Sequence, residues 1–65
     1  MNRRFNKQQR EALWLAAGGK CALCGQELGQ SFHADHIVPL YRGGATDVVN
    51  GQALCDTCNT KKGIS

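Results

Sequence analysis

A chain of 65 residues with two cysteine pairs, Cys21-x-x-Cys24 and Cys55-x-x-Cys58, and a helix, strand, strand, helix order of local patterns predicts a small α+β domain stapled by zinc. Length supplies the first reason, since a domain this small buries too little apolar surface to be stable without a supplement to its core. Cysteine spacing supplies the second: each pair forms a knuckle that presents two thiolates to one ion, together a tetrahedral four-sulfur set. Disulfides would require an oxidising compartment, and redox Cys-x-x-Cys chemistry a different fold context, so zinc is the preferred reading.

The elements follow in order. Met1 to Phe5 is expected to be a loose, flexible arm. Asn6 and Gln9 form a capping box, and Lys7 to Ala17 is rich in helix formers until Gly18 and Gly19 stop it. Leu13, Ala16 and Ala17 mark the face that packs, widened by Trp14 and Leu15. Gly25 permits the tight turn of the first knuckle, and Leu28 and Phe32 are core candidates beneath it. Ser31 to Val38 has the composition of a strand, which Pro39 limits. Tyr41 to Asp47 is a turn-rich loop, Val48 and Val49 are expected to pack under it, and Gln52-Ala53-Leu54 is a short second strand. Asp56 is the expected N-cap of a last helix from Thr57 to Lys62, ended by Gly63. Without a repeat, linker or low-complexity segment, residues 1–65 read as a single domain.

The formal charge of +3 is small, but the basic residues cluster. Arg3, Arg4, Lys7 and Arg10 precede the first knuckle, Arg42 lies in the loop, and Lys61 and Lys62 close the second. Such clusters suit a phosphate backbone, with an ordinary solvated surface as the plain alternative. No apolar run approaches the roughly 20 residues of a membrane span. The stretch Ala12 to Ala17 behind the basic residues is too short for an export signal, so a soluble cytoplasmic protein is expected.

The connection from Cys24 to Cys55 is longer than a plain zinc ribbon needs. Asp35-His36-Ile37-Val38-Pro39, the Gly43-Gly44 loop, Asn50, and Leu54-Cys55-x-x-Cys58-Asn59-x-x-Lys62 together resemble the HNH endonucleases of the zinc-knuckle, four-cysteine type. The resemblance covers most of the chain, including Gly18-Gly19-x-Cys21, and departs from the family at Gly51, where many members carry an apolar residue. It implies a ββα-metal motif, two antiparallel strands and a helix around one catalytic ion, in an HNH nuclease domain. Carried over by position, His36 is the general base, Asp35 and Asn59 ligate the catalytic ion, and Asn50 braces the loop and orients His36. The resemblance also implies hydrolysis of DNA leaving 5′-phosphate and 3′-hydroxyl ends.

Elementary chemistry agrees with these roles. An ordinary imidazole, with a pKa near 6.5, is largely neutral at pH 7 and can take a proton from water. A carboxylate and an amide oxygen are hard ligands that leave room for water and phosphate, which suits Mg²⁺ or Mn²⁺ better than a closed zinc site. Adjacent strand residues point to opposite faces, so Asp35 and His36 serve one phosphate only if the strand ends, bends or bulges there. Taken singly, Asp35-His36 would be a surface hydrogen bond, Asn50 a turn residue and Asn59 a solvent-facing helix residue. For His33 a phosphate contact, a secondary metal neighbour and a plain strand residue all stand. The alternative to a nuclease is a noncatalytic four-cysteine zinc module that binds DNA or protein. A chain this small has little surface for base contacts, so strong sequence specificity would require a homodimer or a protein partner.

Overall fold

The computed structural model describes residues 4–29 and 31–62. Helix α1 (Lys7–Ala16) precedes the first knuckle, strands β1 (His33–His36) and β2 (Gly51–Leu54) pair antiparallel, and helix α2 (Asp56–Lys62) follows at once. Among the described residues no helix is long and apolar enough to cross a membrane.

Local chemistry sets the ends of α1. The Asn6 side chain accepts from the Gln9 amide at 2.8 Å while the Gln9 side chain accepts from the Asn6 amide at 2.9 Å, a complete capping box. At the other end the Gly18 amide donates to Leu15 and the Gly19 amide to Trp14, the paired bonds of a Schellman motif. Both glycines have positive φ, 65° and 72°, which an L side chain would resist. Ala17 caps the helix instead of extending it. The packing face is also narrower than expected. Leu13 is buried, whereas Leu15 is 69% exposed and Trp14 lies at the surface with its indole N–H toward the Leu28 carbonyl.

The knuckle after α1 is a small hairpin. Lys20 bridges Glu27, the Cys21 amide donates to Gln26, and the Gly25 amide donates back to Cys21 at 2.9 Å. The Ala22 amide then donates to the Ala53 carbonyl, which ties the knuckle to β2.

β1 and β2 are joined in register from His33 opposite Leu54 to His36 opposite Gly51. β1 is shorter than the expected Ser31 to Val38 because the Asn50 side chain takes both backbone groups of Val38. Between the strands run two 3₁₀ turns, Leu40–Arg42 and Val48–Asn50. Val48 packs against the core, but Val49 is 87% exposed and does not pack. α2 begins at Asp56, one residue before the expected start, so Cys55 takes the capping position and its sulfur accepts from the Cys58 amide at 3.4 Å. The expected stop at Gly63 lies outside the described residues.

Phe5, Leu13, Cys21, Leu28, Phe32, Ala53, Leu54 and Cys55 make one core. Phe5 corrects the expectation of a loose arm, for it is only 7% exposed. Gly51 explains how it gets in: a Cβ there would stand 3.0 Å from the Phe5 ring and 2.8 Å from both Leu13 methyls. The departure from the family at Gly51 is therefore filled from the N-terminal side.

Candidate active site and metal centre

The four cysteines converge. Their sulfurs all lie within 4.8 Å of one another, and Cys24 and Cys55 are 3.7 Å apart. A tetrahedral zinc with Zn–S bonds of about 2.3 Å requires sulfur separations of about 3.8 Å, so the set fits that ion in donor type and spacing. Cys21 and Cys58 are shifted in opposite directions. Burial pushes the Cys21 thiol up, but amides of Cys55, Cys24 and Leu23 and the Cys24 side chain outweigh it and bring the pKa down to about 6. Cys58 is pushed up to about 12, first by its bond to the Cys55 side chain, then by burial and the other sulfurs. Sulfurs this close cannot all ionise without a cation among them, which is the electrostatic case for a structural metal.

That centre holds the start of α2 beside β1. Asp35 is 1% exposed, and a carboxylate so buried is costly unless it is paired. Its Oδ2 accepts from the Gln52 amide at 2.8 Å, directly across the sheet, and from the Lys62 ammonium at 2.6 Å. The same ammonium donates to the His36 carbonyl at 2.6 Å. Asn59 lies three residues before Lys62 and so shares its helix face, with a half-buried side chain. Asp35 and Asn59 are a carboxylate and an amide carried on elements that pack together, and the Asp35 carboxylate is bound by the Lys62 ammonium. In donor chemistry the residues fit Mg²⁺ or Mn²⁺.

His36 turns the other way. It is 4% exposed, with its ring stacked on Phe5 at 4.6 Å between centroids and 30° between planes, and its Nε2 lies 3.0 Å from Thr46 Oγ1. β1 keeps one-to-one pairing through all its residues, so no bulge brings His36 and Asp35 onto one face. The strand does end at His36. Asn50 secures the loop beyond it. Its side chain accepts from the Val38 amide at 2.9 Å and donates to the carbonyls of Val38 at 3.1 Å and Ala45 at 2.8 Å.

The basic residues divide. Arg4, Lys7, Arg42 and Lys61 are exposed, and the Arg42 guanidinium lies 5.8 Å from the Tyr41 ring. Arg10 is instead turned onto Phe32, donating to its carbonyl at 2.7 Å and covering its ring at 4.4 Å. Lys62, expected as a phosphate contact, is turned inward onto Asp35 because the buried carboxylate attracts it more strongly than solvent does. Arg3 lies outside the described residues. His33 is a strand residue at the first position of β1, and its Nε2 lies 3.0 Å from the Asp56 carboxylate. Both of those groups are open to water, so the pair adds little stability.

Four contributors were missed from sequence. Gln52 is legible once His33 is set opposite Leu54, because that register places it across from Asp35. The inward turn of Lys62 carries no local signal, since it depends on a carboxylate 27 residues away. For Phe5 the hint is an aromatic residue immediately before a capping box, and for Thr46 the sequence carries no local signal.

The family model for the HNH endonuclease matches residues 21–64. The chain is 33% identical over 42 residues to Anaredoxin of Nostoc sp. (strain PCC 7120 / SAG 25.82 / UTEX 2576), a match covering 65% of this chain and 54% of that protein. The chain thus spans about half the length of the curated relative it matches. No solved structure matches it significantly.

Proposed function

Because the chain belongs to the HNH endonuclease family, we propose that it is a metal-dependent endonuclease hydrolysing DNA phosphodiester bonds, with His36 as the general base. The observation that carries this proposal is the buried Asp35 beside His36 at the end of β1, bound by Lys62 from α2, the helix that also carries Asn59. His36 would accept a proton from the water that attacks phosphorus. Asn50 holds the loop beside it closed, and Lys62 keeps the Asp35 carboxylate oriented and adds positive charge near the phosphate. A divalent ion, Mg²⁺ or Mn²⁺, held by Asp35 and Asn59, supplies polarisation of the phosphate and neutralisation of the leaving oxygen when bound. The exposed Arg4, Arg42 and Lys61 serve as contacts to the DNA backbone, leaving sequence choice to a homodimer or a protein partner. Ends carrying 5′-phosphate and 3′-hydroxyl groups are the expected products.

The test is plasmid cleavage by the purified zinc-loaded chain with Mg²⁺, with Mn²⁺ and with excess chelator. The proposal expects nicked or linear DNA with either ion and none with chelator. A second reading, a noncatalytic DNA-binding module, is favoured by one observation: His36 lies almost fully covered by its neighbours. Protein that retards DNA yet leaves the plasmid intact with both ions would select it.

A further inference from the structure

The Asp35 side chain reaches the surface nowhere: it is 0% exposed, so an ion can meet it only if a neighbour moves. Two side chains cover its Oδ2. Gln52 donates at 2.8 Å from β2, where its backbone is paired opposite Asp35. Lys62 donates at 2.6 Å from the last turn of α2, and the same ammonium reaches the His36 carbonyl at 2.6 Å. Of the two, Lys62 is the one able to leave. Its side chain is 24% exposed, its stem is flexible, and the last turn of a helix frays more readily than a paired strand parts.

Charge gives a second reason. Mg²⁺ binds a carboxylate oxygen at about 2.1 Å, so an ion on Oδ2 would stand within about 5 Å of the ammonium. Cations that close and that far from water repel strongly, and one carboxylate cannot offset three positive charges. Asn59 lies three residues before Lys62 on the same face of α2. An ion drawing on both Asp35 and Asn59 would therefore contest the ground that the ammonium holds.

We infer that Lys62 is a tethered cation that Asp35 exchanges for the divalent ion: the ammonium holds the carboxylate in the resting chain and must withdraw for the ion to bind. The inference rests on Asp35 being an ion ligand, as the proposed nuclease requires. The exchange keeps the buried carboxylate neutralised in both states, by one cation or the other. It also lowers the ion affinity, because the bonds of Lys62 to Asp35 and to the His36 carbonyl are lost when the ion enters. The released ammonium stays within reach of its stem, where its charge serves the phosphate. A lysine that only oriented Asp35 would act in the opposite sense, and its loss would weaken ion binding.

The experiment is Mn²⁺ binding to the full zinc-loaded chain at pH 8, where protons compete least for Asp35, read as loss of the electron paramagnetic resonance signal of free Mn²⁺. Lys62→Met removes the competing charge and is expected to bind Mn²⁺ about ten- to a hundredfold more tightly than wild type, the worth of a charged hydrogen bond. Lys62→Arg keeps the charge and is expected not to tighten. Because Lys62→Met also loosens the fold, the wild type carries a second readout, acetylation of Lys62 by an amine-reactive ester followed by mass spectrometry. Lys62 is expected to react slowly without Mn²⁺ and faster once Mn²⁺ is bound, while the exposed Lys7 and Lys20 react alike in both. Mn²⁺ affinity unchanged or weaker in Lys62→Met, or Lys62 labelling that Mn²⁺ does not accelerate, overturns the inference. A chain that exchanges Lys62 for Mn²⁺ and cuts no DNA supports the exchange and refutes the nuclease proposal. A chain that cuts DNA with Lys62 still protected refutes the exchange alone.

Discussion

Replacing Phe5 with alanine tests whether the segment before α1 belongs to the fold. Phe5 is nearly fully buried against Leu13, the Gly51 backbone and the His36 ring. A buried phenylalanine removes on the order of 150 Å² from water, which at about 25 cal/mol per Å² corresponds to about 4 kcal/mol. The position lies at the start of the described chain, where neighbours can close partly over the gap, so the expected loss for Phe5→Ala is about 2–4 kcal/mol. A core of this size rarely supplies more than about 3–5 kcal/mol without its metal, so the variant should depend almost wholly on zinc for its fold. Urea unfolding of zinc-saturated protein, followed by circular dichroism, reads the difference as a lower midpoint at unchanged slope. A loss below about 0.5 kcal/mol would return Phe5 to a loose arm and refute the packing described here.

Three further outcomes follow from the geometry. Zinc affinity should weaken as pH falls: Cys58, raised to about 12, carries a proton at pH 7 that binding must expel, so each pH unit lowered costs at least about tenfold in affinity. Competition against a chelator of known affinity from pH 8 to pH 6 measures this, and a flat profile would contradict it. Lys62→Met should destabilise the fold by about 1–3 kcal/mol, below the usual figure for a broken buried pair because Lys62 keeps 24% of its side chain exposed. An unchanged urea midpoint would show that Asp35 does not need it. Lys61→Gln should flatten the plot of log DNA affinity against log salt by about one unit, while Arg10→Gln should leave it alone because Arg10 is committed to Phe32. Equal slopes for the two variants would remove the distinction.

The cysteine centre, the order of the elements and the capping box of α1 were legible in the sequence because each depends on residues close together or on a ligand spacing with few structural solutions. Leu28 and Phe32 were legible as core for a similar reason, being large apolar residues beneath a fixed knuckle. Phe5, Thr46 and the inward turn of Lys62 were not, since each arises from contact between distant segments. Lys62 shows the physics most plainly: a terminal basic residue reads as a solvated charge until the fold buries a carboxylate within its reach. Val49 and Leu15 mislead in the opposite sense, because composition alone does not reveal which face of a short turn or helix is left uncovered. Gly51 was visible as a departure, and its meaning required knowing that Phe5 and Leu13 occupy the space.

The most direct measurement of the central claim is the rate of plasmid cleavage in Mn²⁺ by wild type and by His36→Gln, a variant whose amide can still bond to Thr46, with zinc content and circular dichroism matched between them. If His36 is the base, the wild type cuts and the variant is slower by about a hundredfold or more. Equal rates, or a wild type that binds DNA and never cuts it, would contradict the account.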